Sequence, residues 1–314
     1  DTEGEKILGG MMKEKGYDVD FATNVTISAS VQGIIIPPSQ NMIYYSMAAG
    51  GLSVGKLFLG GYIPGITLGL SLMILCYFIS RKRNYPVSEK VTSLKEACMI
   101  AKEATWGLFT AFIILIGVIS GIFTATESAA IAVVYALFVT CFIYRSMTWS
   151  KMLKILKETF RMIAIIVPLI ATSSAFGWLL AYLKVPAMVM NALLSVSSSK
   201  IVITLLMNLI LLILGTLMDM GIIILLVTPI LLPVALKIGM DPIQFGIMML
   251  LNLGIGLITP PVGTTLFVGS AMSGISIEKL AKGLIPFYFT MFIVVMIAAF
   301  VPDFVMMLPK IFIK

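Results

Sequence analysis

The chain has 314 residues, 59% of them hydrophobic and 12% charged, with a mean hydropathy of +1.06. A soluble domain is nearer half apolar and a quarter charged, so this is an all-α polytopic membrane protein. The formal charge of +7 sits in a few loops and points to topology and lipid headgroups rather than nucleic acid, while the lack of histidine removes imidazole catalysis, proton relays and most transition-metal sites.

The opening Asp1-Thr2-Glu3-Gly4, without an initiator Met, is expected of a piece of something longer. Residues 1–10 carry no clear pattern, and Lys13-Glu14-Lys15-Gly16 reads as a polar turn. Phe21 to Ile36 is a weakly apolar helix rich in Thr, Ser and Ala, predicted to face protein rather than lipid. Pro37-Pro38-Ser39-Gln40-Asn41 interrupts it, because proline cannot donate to the helical ladder. Met42 to Ala49 continues beyond. Leu57 to Ile79 is a full span with a kink expected at Pro64-Gly65.

A basic loop opens with Arg81-Lys82-Arg83, and Glu89 to Glu103 is predicted to be a surface-lying amphipathic helix. Trp106 to Ile122 and Ser128 to Tyr144 are spans, with Glu127 capping the second. After a basic segment from Arg145 to Arg161, Ile163 to Leu183 crosses back and Pro186 to Ser199 forms a short amphipathic helix. Ile201 to Leu214 and Ile222 to Leu236 are short apolar arms about Gly215 to Gly221, the pattern of a re-entrant hairpin. Leu250 to Ile258 is then broken by Thr259-Pro260-Pro261-Val262-Gly263 and restarts at Leu266 to Ala271. A last span, Leu284 to Phe300, precedes a tail holding Lys310 and Lys314. Cys76, Cys98 and Cys141 have neither disulfide nor metal spacing, and the Met abundance reads as core filling.

The two breaks belong to one repeat. A shift of 223 residues (256 − 33) lays Gly33 to Gly60 on Gly256 to Gly283 without a gap. Gly33, Ile35, Pro37, Pro38, Ala48, Gly51, Ser53, Lys56, Leu57 and Gly60 meet identical residues at Gly256, Ile258, Pro260, Pro261, Ala271, Gly274, Ser276, Lys279, Leu280 and Gly283. The same shift pairs Gly16 and Asp18 with Gly239 and Asp241. Residues 81–103 carry six basic against three acidic residues, and 145–161 five against one, so both loops are read as cytoplasmic. Tracing the spans puts Lys15 inside and its partner Ile238 outside. The repeats are therefore inverted, and paired interrupted helices in inverted halves point to a secondary transporter's binding site.

At such breaks half-helix N-termini suit carboxylates, and half-helix carbonyls suit Na⁺. The candidate oxygens are uncharged: Ser39, Gln40, Asn41, Thr216, Thr259, Thr264, Thr265 and the carbonyls near Gly215 and Pro260. Asp219 is open to three readings: ligand, anchor for the tip's N–H groups, or solvated turn residue. A membrane-embedded enzyme would need a nucleophile–base pair or a metal cluster, and the sequence offers neither.

PPSQN with AAGGLSVGKLFLGGYIPG, FTATESAAIAVVYAL, LGTLMDM with TPILLPVA, and Gly239-Met240-Asp241-Pro242 leading to NLGIGLITPPVG together resemble the large membrane subunit of TRAP (tripartite ATP-independent periplasmic) transporters. The resemblance runs in order along essentially the whole chain. It implies a Na⁺-coupled, elevator-type carrier in the bacterial inner membrane, with re-entrant hairpins and broken helices. It also implies a periplasmic binding protein that delivers an organic acid, a small membrane subunit (separate or fused), and no cofactor beyond Na⁺. Carried over by position, one cation site involves Gly33, Ser39 and Asn41 with a first hairpin expected upstream. The other involves Gly215, Thr216, Asp219, Thr259, Pro260, Val262 and Gly263. Pro38, Ser39, Gln40, Asn41, Thr264 and Thr265 would line the substrate between them. Gln40-Asn41, where many members are apolar, is similar to the sialic-acid and sugar-acid branch and favours such a substrate over C4-dicarboxylates. A carrier of the wider ion-transporter class that works without a binding protein is the alternative. The expected division is 1–60 and 184–283 as transport-domain repeats, with 61–183 and 284–314 as scaffold.

Overall fold

The computed structural model describes residues 12, 15–86 and 94–313, those at 94–103 by backbone alone. Helices account for nearly all regular structure, and no strand occurs among the described residues. By contacts the chain divides into two units, Asp1–Pro86 with Phe176–Lys314, and Val87–Ala175.

In the first unit, α1 (Val19–Ile35) and α2 (Gln40–Ala48) form one broken helix bent by 47°. α3 (Val54–Lys82) follows as a single helix with Pro64 in its interior. The second unit holds α4 (Leu94–Ile119) and α5 (Ala125–Phe138), which closes on a π-turn at Val139–Ile143. Thr124 and Glu127 cap α5 reciprocally: the Thr124 N–H donates to Glu127 Oε2 at 2.8 Å and the Glu127 N–H to Thr124 Oγ1 at 3.2 Å. Phe112, Ile116 and Val134 stand exposed on this unit, as expected of side chains that face lipid. α6 (Trp149–Tyr182) passes from the second unit into the first.

The first unit continues with α7 (Val185–Val196), α8 (Lys200–Leu217), α9 (Met220–Lys237), α10 (Pro242–Leu257), α11 (Thr264–Ser273), α12 (Ile277–Phe300) and α13 (Pro302–Phe312). α10 is buried almost end to end. It packs on α8, α12 and α1, while α9 packs on α2 and α7, and α3 on α1, α12 and α13.

Several boundaries differ from the sequence expectation. No Pro or Gly lies between Leu94 and Trp106, so the predicted surface helix runs unbroken into the following span; residues 89–93 lie outside the described part. The basic segment from Trp149 onward and the span after it are likewise joined in α6, while residues 145–148 stay outside the helix. Both hairpin arms are 18 residues long, and the tip shrinks to Met218-Asp219 because Gly215 and Gly221 are taken into the helices. The C-terminal tail is helical, with Pro302 in the first turn, where its missing N–H costs nothing.

The repeat reappears in three dimensions. α1 and α10 start at equivalent residues, Val19 and Pro242, as do α3 and α12, at Val54 and Ile277. Gly16 and Gly239 share a left-handed φ, as do Gly51 and Gly274. The two broken helices lie antiparallel: Gly269 faces Ile27, Gly254 faces Val31, and Gly246 faces the Tyr45 ring. Val31 and Gly254 are themselves repeat partners, 223 positions apart (254 − 31). The local two-fold axis that an inverted repeat requires therefore passes close to this contact.

Polar ties hold the core together. Asn252 Nδ2 donates to the Asn208 carbonyl at 3.0 Å and to Asn208 Oδ1 at 2.8 Å, which fastens α10 to hairpin arm α8. Gln244 Nε2 reaches the Ala298 and Ala299 carbonyls, each at 3.0 Å. The bonds offset the desolvation of these buried amide groups, apart from Asn252 Oδ1, which has no partner among the described residues. Where α1 begins and α3 ends, Arg83 Nη1 lies 3.2 Å from Asp18 Oδ2, and the Tyr85 hydroxyl donates to the same oxygen at 2.7 Å. The Tyr85 hydroxyl, followed by the Arg83 guanidinium, holds the Asp18 carboxyl below its usual range. The contact also places the residues beside Lys15 and the Arg81-Lys82-Arg83 run at the same end of the bundle.

Candidate functional site

The first break is made by Pro37 and Pro38, joined by a cis peptide. Pro37 has no N–H for the Gly33 carbonyl, and the neighbouring Ile36 N–H goes to Gln32 instead, at 3.0 Å. Gly33 is exposed, and no loop or cap N–H among the described residues takes the place of the lost donor to its carbonyl. The Ile34 carbonyl loses its donor to Pro38, but the buried Ser39 hydroxyl donates to it at 2.6 Å. α2 then starts at Gln40, whose Nε2 donates to the Tyr44 hydroxyl. Pro38 and Gln40 are exposed, and Asn41 is half-buried in the first turn.

The second break repeats the cis Pro-Pro unit at Pro260-Pro261. The Thr259 N–H donates to the Gly256 carbonyl at 3.0 Å, and the Thr259 hydroxyl turns back to the Ile255 carbonyl at 2.7 Å. Here the Leu257 carbonyl is the one left open. Pro261 cannot reach it, and Val262, which stands where the first repeat has Ser39, carries no hydroxyl. The Val262 N–H instead crosses to the Thr216 carbonyl at 3.0 Å. Gly263 turns the chain at φ 21°, and α11 starts at Thr264, exposed, with Thr265 half-buried.

The hairpin tip joins the two breaks. Asp219 caps α9 by accepting the Gly221 N–H at 2.9 Å, the anchor reading of that residue. The Thr216 hydroxyl back-bonds to Ile213 at 2.8 Å. Gly215 is buried against Gly256, and the Tyr44 ring lies beside Gly221. One side of the tip thus touches the middle of α2 through Tyr44, and the other is bonded into the second break. α8 begins where Lys200 Nζ reaches the Gly239 carbonyl, runs alongside α10, and stops at the depth where α10 is interrupted. α11 carries the broken helix about 15 Å further, at 1.5 Å per residue. The tip therefore lies level with the break after α10, short of the far end of α11.

Of the predicted site residues, Gly215, Thr216, Asp219, Thr259, Pro260, Val262 and Gly263 gather at the tip and the second break. Gly33, Pro38, Ser39, Gln40 and Asn41 gather at the first, while Thr264 and Thr265 open α11. The hydroxyls of Ser39, Thr216 and Thr259 each donate to a carbonyl, which fixes their orientation and leaves their oxygen lone pairs available beside those of the backbone. Sequence reasoning passed over Tyr44, the Asn208–Asn252 pair and Tyr288, whose hydroxyl donates to the Ile258 carbonyl at 2.7 Å. Isolated polar residues inside apolar spans were the available signal.

This is an all-α polytopic membrane protein of the inverted-repeat type, with broken helices packed against a helical hairpin. The family model described as "Tripartite ATP-independent periplasmic transporter, DctM component" matches residues 6–304, and the chain belongs to this family of multi-pass inner-membrane transport proteins. Similar proteins include the sialic acid TRAP transporter large permease protein SiaM of Vibrio cholerae, 38% identical over 96% of this chain and 70% of its own length. The C4-dicarboxylate TRAP transporter large permease protein DctM of Pseudomonas aeruginosa is 38% identical over 98% and 71%. The Salmonella typhimurium protein YgiK is 40% identical over 98% and 70%.

Proposed function

We propose that the protein carries an organic acid inward by Na⁺-coupled symport, as the large membrane subunit of a three-part system. The observation that carries this reading is the convergence of two kinds of group where the tip meets the breaks. The Gly33 and Leu257 carbonyls have lost their helical donors to proline. The first turns of α2 and α11 offer free N–H groups. Uncharged oxygens suit a hard monovalent cation, and half-helix N-termini suit a carboxylate.

In this reading Na⁺ binds at Gly33, Ser39 and Asn41 on one side and around Gly215, Thr216, Thr259, Pro260, Val262 and Gly263 on the other. The substrate carboxylate lies between, against Pro38 to Asn41 and Thr264-Thr265. The broken helices and hairpin shift together against a scaffold, as an elevator. A periplasmic binding protein delivers the acid, and a small membrane subunit completes the scaffold. Relatives named for sialic acid and for C4-dicarboxylate are equally similar to this chain. The exposed Gln40 and half-buried Asn41 favour the more hydroxylated sugar acid.

Proteoliposomes holding the membrane subunits, supplied with the binding protein, should accumulate substrate only under an inward Na⁺ gradient. Equal uptake from a proton gradient in Na⁺-free buffer would overturn the coupling, and full uptake without the binding protein would favour a stand-alone carrier. Thermal stabilisation of the cognate binding protein by a panel of acids tests the substrate: a sugar acid should raise its Tm more than succinate or malate.

A further inference from the structure

We infer that Tyr288, in the span after the second broken helix, is a positioning residue for the cation site at that break; this rests on the Na⁺-coupled reading above. Each broken helix is backed by the span that follows it. In the first repeat α3 does so by backbone approach. A Cβ on Gly61 would lie 2.4 Å from the Ile35 carbonyl oxygen, and one on Gly65 2.7 Å from Ile36 Cγ1.

The repeat partner of Ile35 is Ile258, and that of Gly65 is Tyr288 (65 + 223). In the second repeat the equivalent carbonyl is met from one helical turn further along, by the side chain at the Gly65 position: the Tyr288 hydroxyl donates to it at 2.7 Å. Leu284 stands where the first repeat has the bare backbone of Gly61. Ile258 is 0% exposed, so no other water or lipid group takes over this carbonyl.

That bond sets the peptide plane between Ile258 and Thr259. Its N–H side leads into the Thr259–Gly256 bond, and its neighbours are the open Leu257 carbonyl and Pro260. Without the hydroxyl, the Ile258 carbonyl has every reason to turn toward another donor, and the ligand peptides beside it lose their fixed orientation. Cation affinity should fall while the fold persists. Loss of one buried hydrogen bond of ordinary strength corresponds to about five- to tenfold in an equilibrium constant.

The test uses the purified full-length protein with its membrane partner and Na⁺ alone as probe. NaCl is exchanged for choline chloride at constant ionic strength while thermal unfolding is followed. Tyr288→Phe should move the midpoint of Na⁺ stabilisation upward by about five- to tenfold and leave the Na⁺-free Tm within a few degrees of wild type. Thr290→Val removes a hydroxyl from the same span that only back-bonds to Pro286, and should leave the midpoint unmoved. An unchanged midpoint in Tyr288→Phe, with or without a lowered Na⁺-free Tm, overturns the proposal. Should Tyr288→Phe not be recovered folded, Tyr288→Met fills similar space without a donor and takes its place. Failure of both to fold makes Tyr288 a purely structural residue and overturns the proposal as well. A wild-type protein with no Na⁺ response counts against Na⁺ coupling itself, a result separable from any effect of Tyr288.

Discussion

Gly256→Val should reduce uptake at least about a hundredfold, the largest effect expected of any single methyl-bearing replacement near the second break. Gly256 lies on α10 where hairpin arm α8 crosses it. A Cβ there would sit 2.5 Å from the Gly215 carbonyl carbon, 2.6 Å from its Cα and 2.8 Å from its carbonyl oxygen. All three atoms are backbone, so no rotamer change relieves the overlap. The next residue, Thr216, holds Val262 across the same junction, so pushing α8 away also breaks the bond that ties the tip to the break. Overpacking of this kind costs about 1–3 kcal/mol and sometimes more. A hundredfold loss needs about 2.7 kcal/mol.

Two comparisons isolate the cause. Gly215→Ala approaches the Gly256 Cα at 3.2 Å and Leu253 Cδ2 at 3.3 Å, a tighter but adjustable fit, and should be milder. Gly33→Ala alters the repeat partner of Gly256, where nothing lies within 4 Å, and should change uptake less than about twofold, since the carbonyl is retained. Uptake in proteoliposomes, normalised to folded protein, measures all three. Gly256→Val at wild-type rate would show that the hairpin tip does not need its contact with α10.

These contrasts show which features were legible beforehand. The Pro-Pro pairs mark both breaks because a missing N–H is a property of the residue, independent of its surroundings. The duplication is visible because identical residues recur in register. Element ends were less legible. Gly215 looked like a turn residue, yet it lies inside α8 because Gly256 requires a bare backbone there. Lys151, Lys154 and Lys157 looked like a loop on the positive-inside argument, but charge does not interrupt a helix, and α6 runs through all three. α13 went unnoticed because a short helix with one packed face, Val305 and Pro309, carries too few apolar residues to register as a span. Least legible was the asymmetry between the halves. Ser39 stands opposite Val262, and Gly65 opposite Tyr288. Neither difference acquires meaning until the carbonyl that each residue serves is known.

The first break should be as sensitive as the second, through a different element. Gly61→Val is expected to lower uptake about a hundredfold. A Cβ at this position would meet the Ile35 carbonyl oxygen at 2.4 Å and Met42 Cε at 2.5 Å. The methionine end can swing aside. The carbonyl cannot, because it is backbone at the end of α1, separated by one residue from the Pro37-Pro38 break, and moves only with the chain. α3 must therefore retreat, or the break must shift toward the tip and carry Ser39, Gln40 and Asn41 with it. Under the proposed function the second outcome raises the substrate half-saturation at saturating Na⁺, whereas retreat of α3 lowers thermal stability first. Measuring both separates them. Gly65→Ala meets a side-chain carbon, Ile36 Cγ1, at 2.7 Å and should cost less than tenfold, because a rotamer change answers it. If Gly61→Val and Gly65→Ala behave alike, backbone contact between α3 and the break is not what holds the first half of the site. In the second half Leu284 fills the corresponding position and is fully buried, so adding bulk there has no carbonyl to strike. The two halves of the repeat thus hold equivalent breaks by different means, close backbone contact in one and a tyrosine hydroxyl in the other. Equivalent substitutions in the two should therefore fail differently, the first by displacement of a helix and the second by loosening of a single peptide.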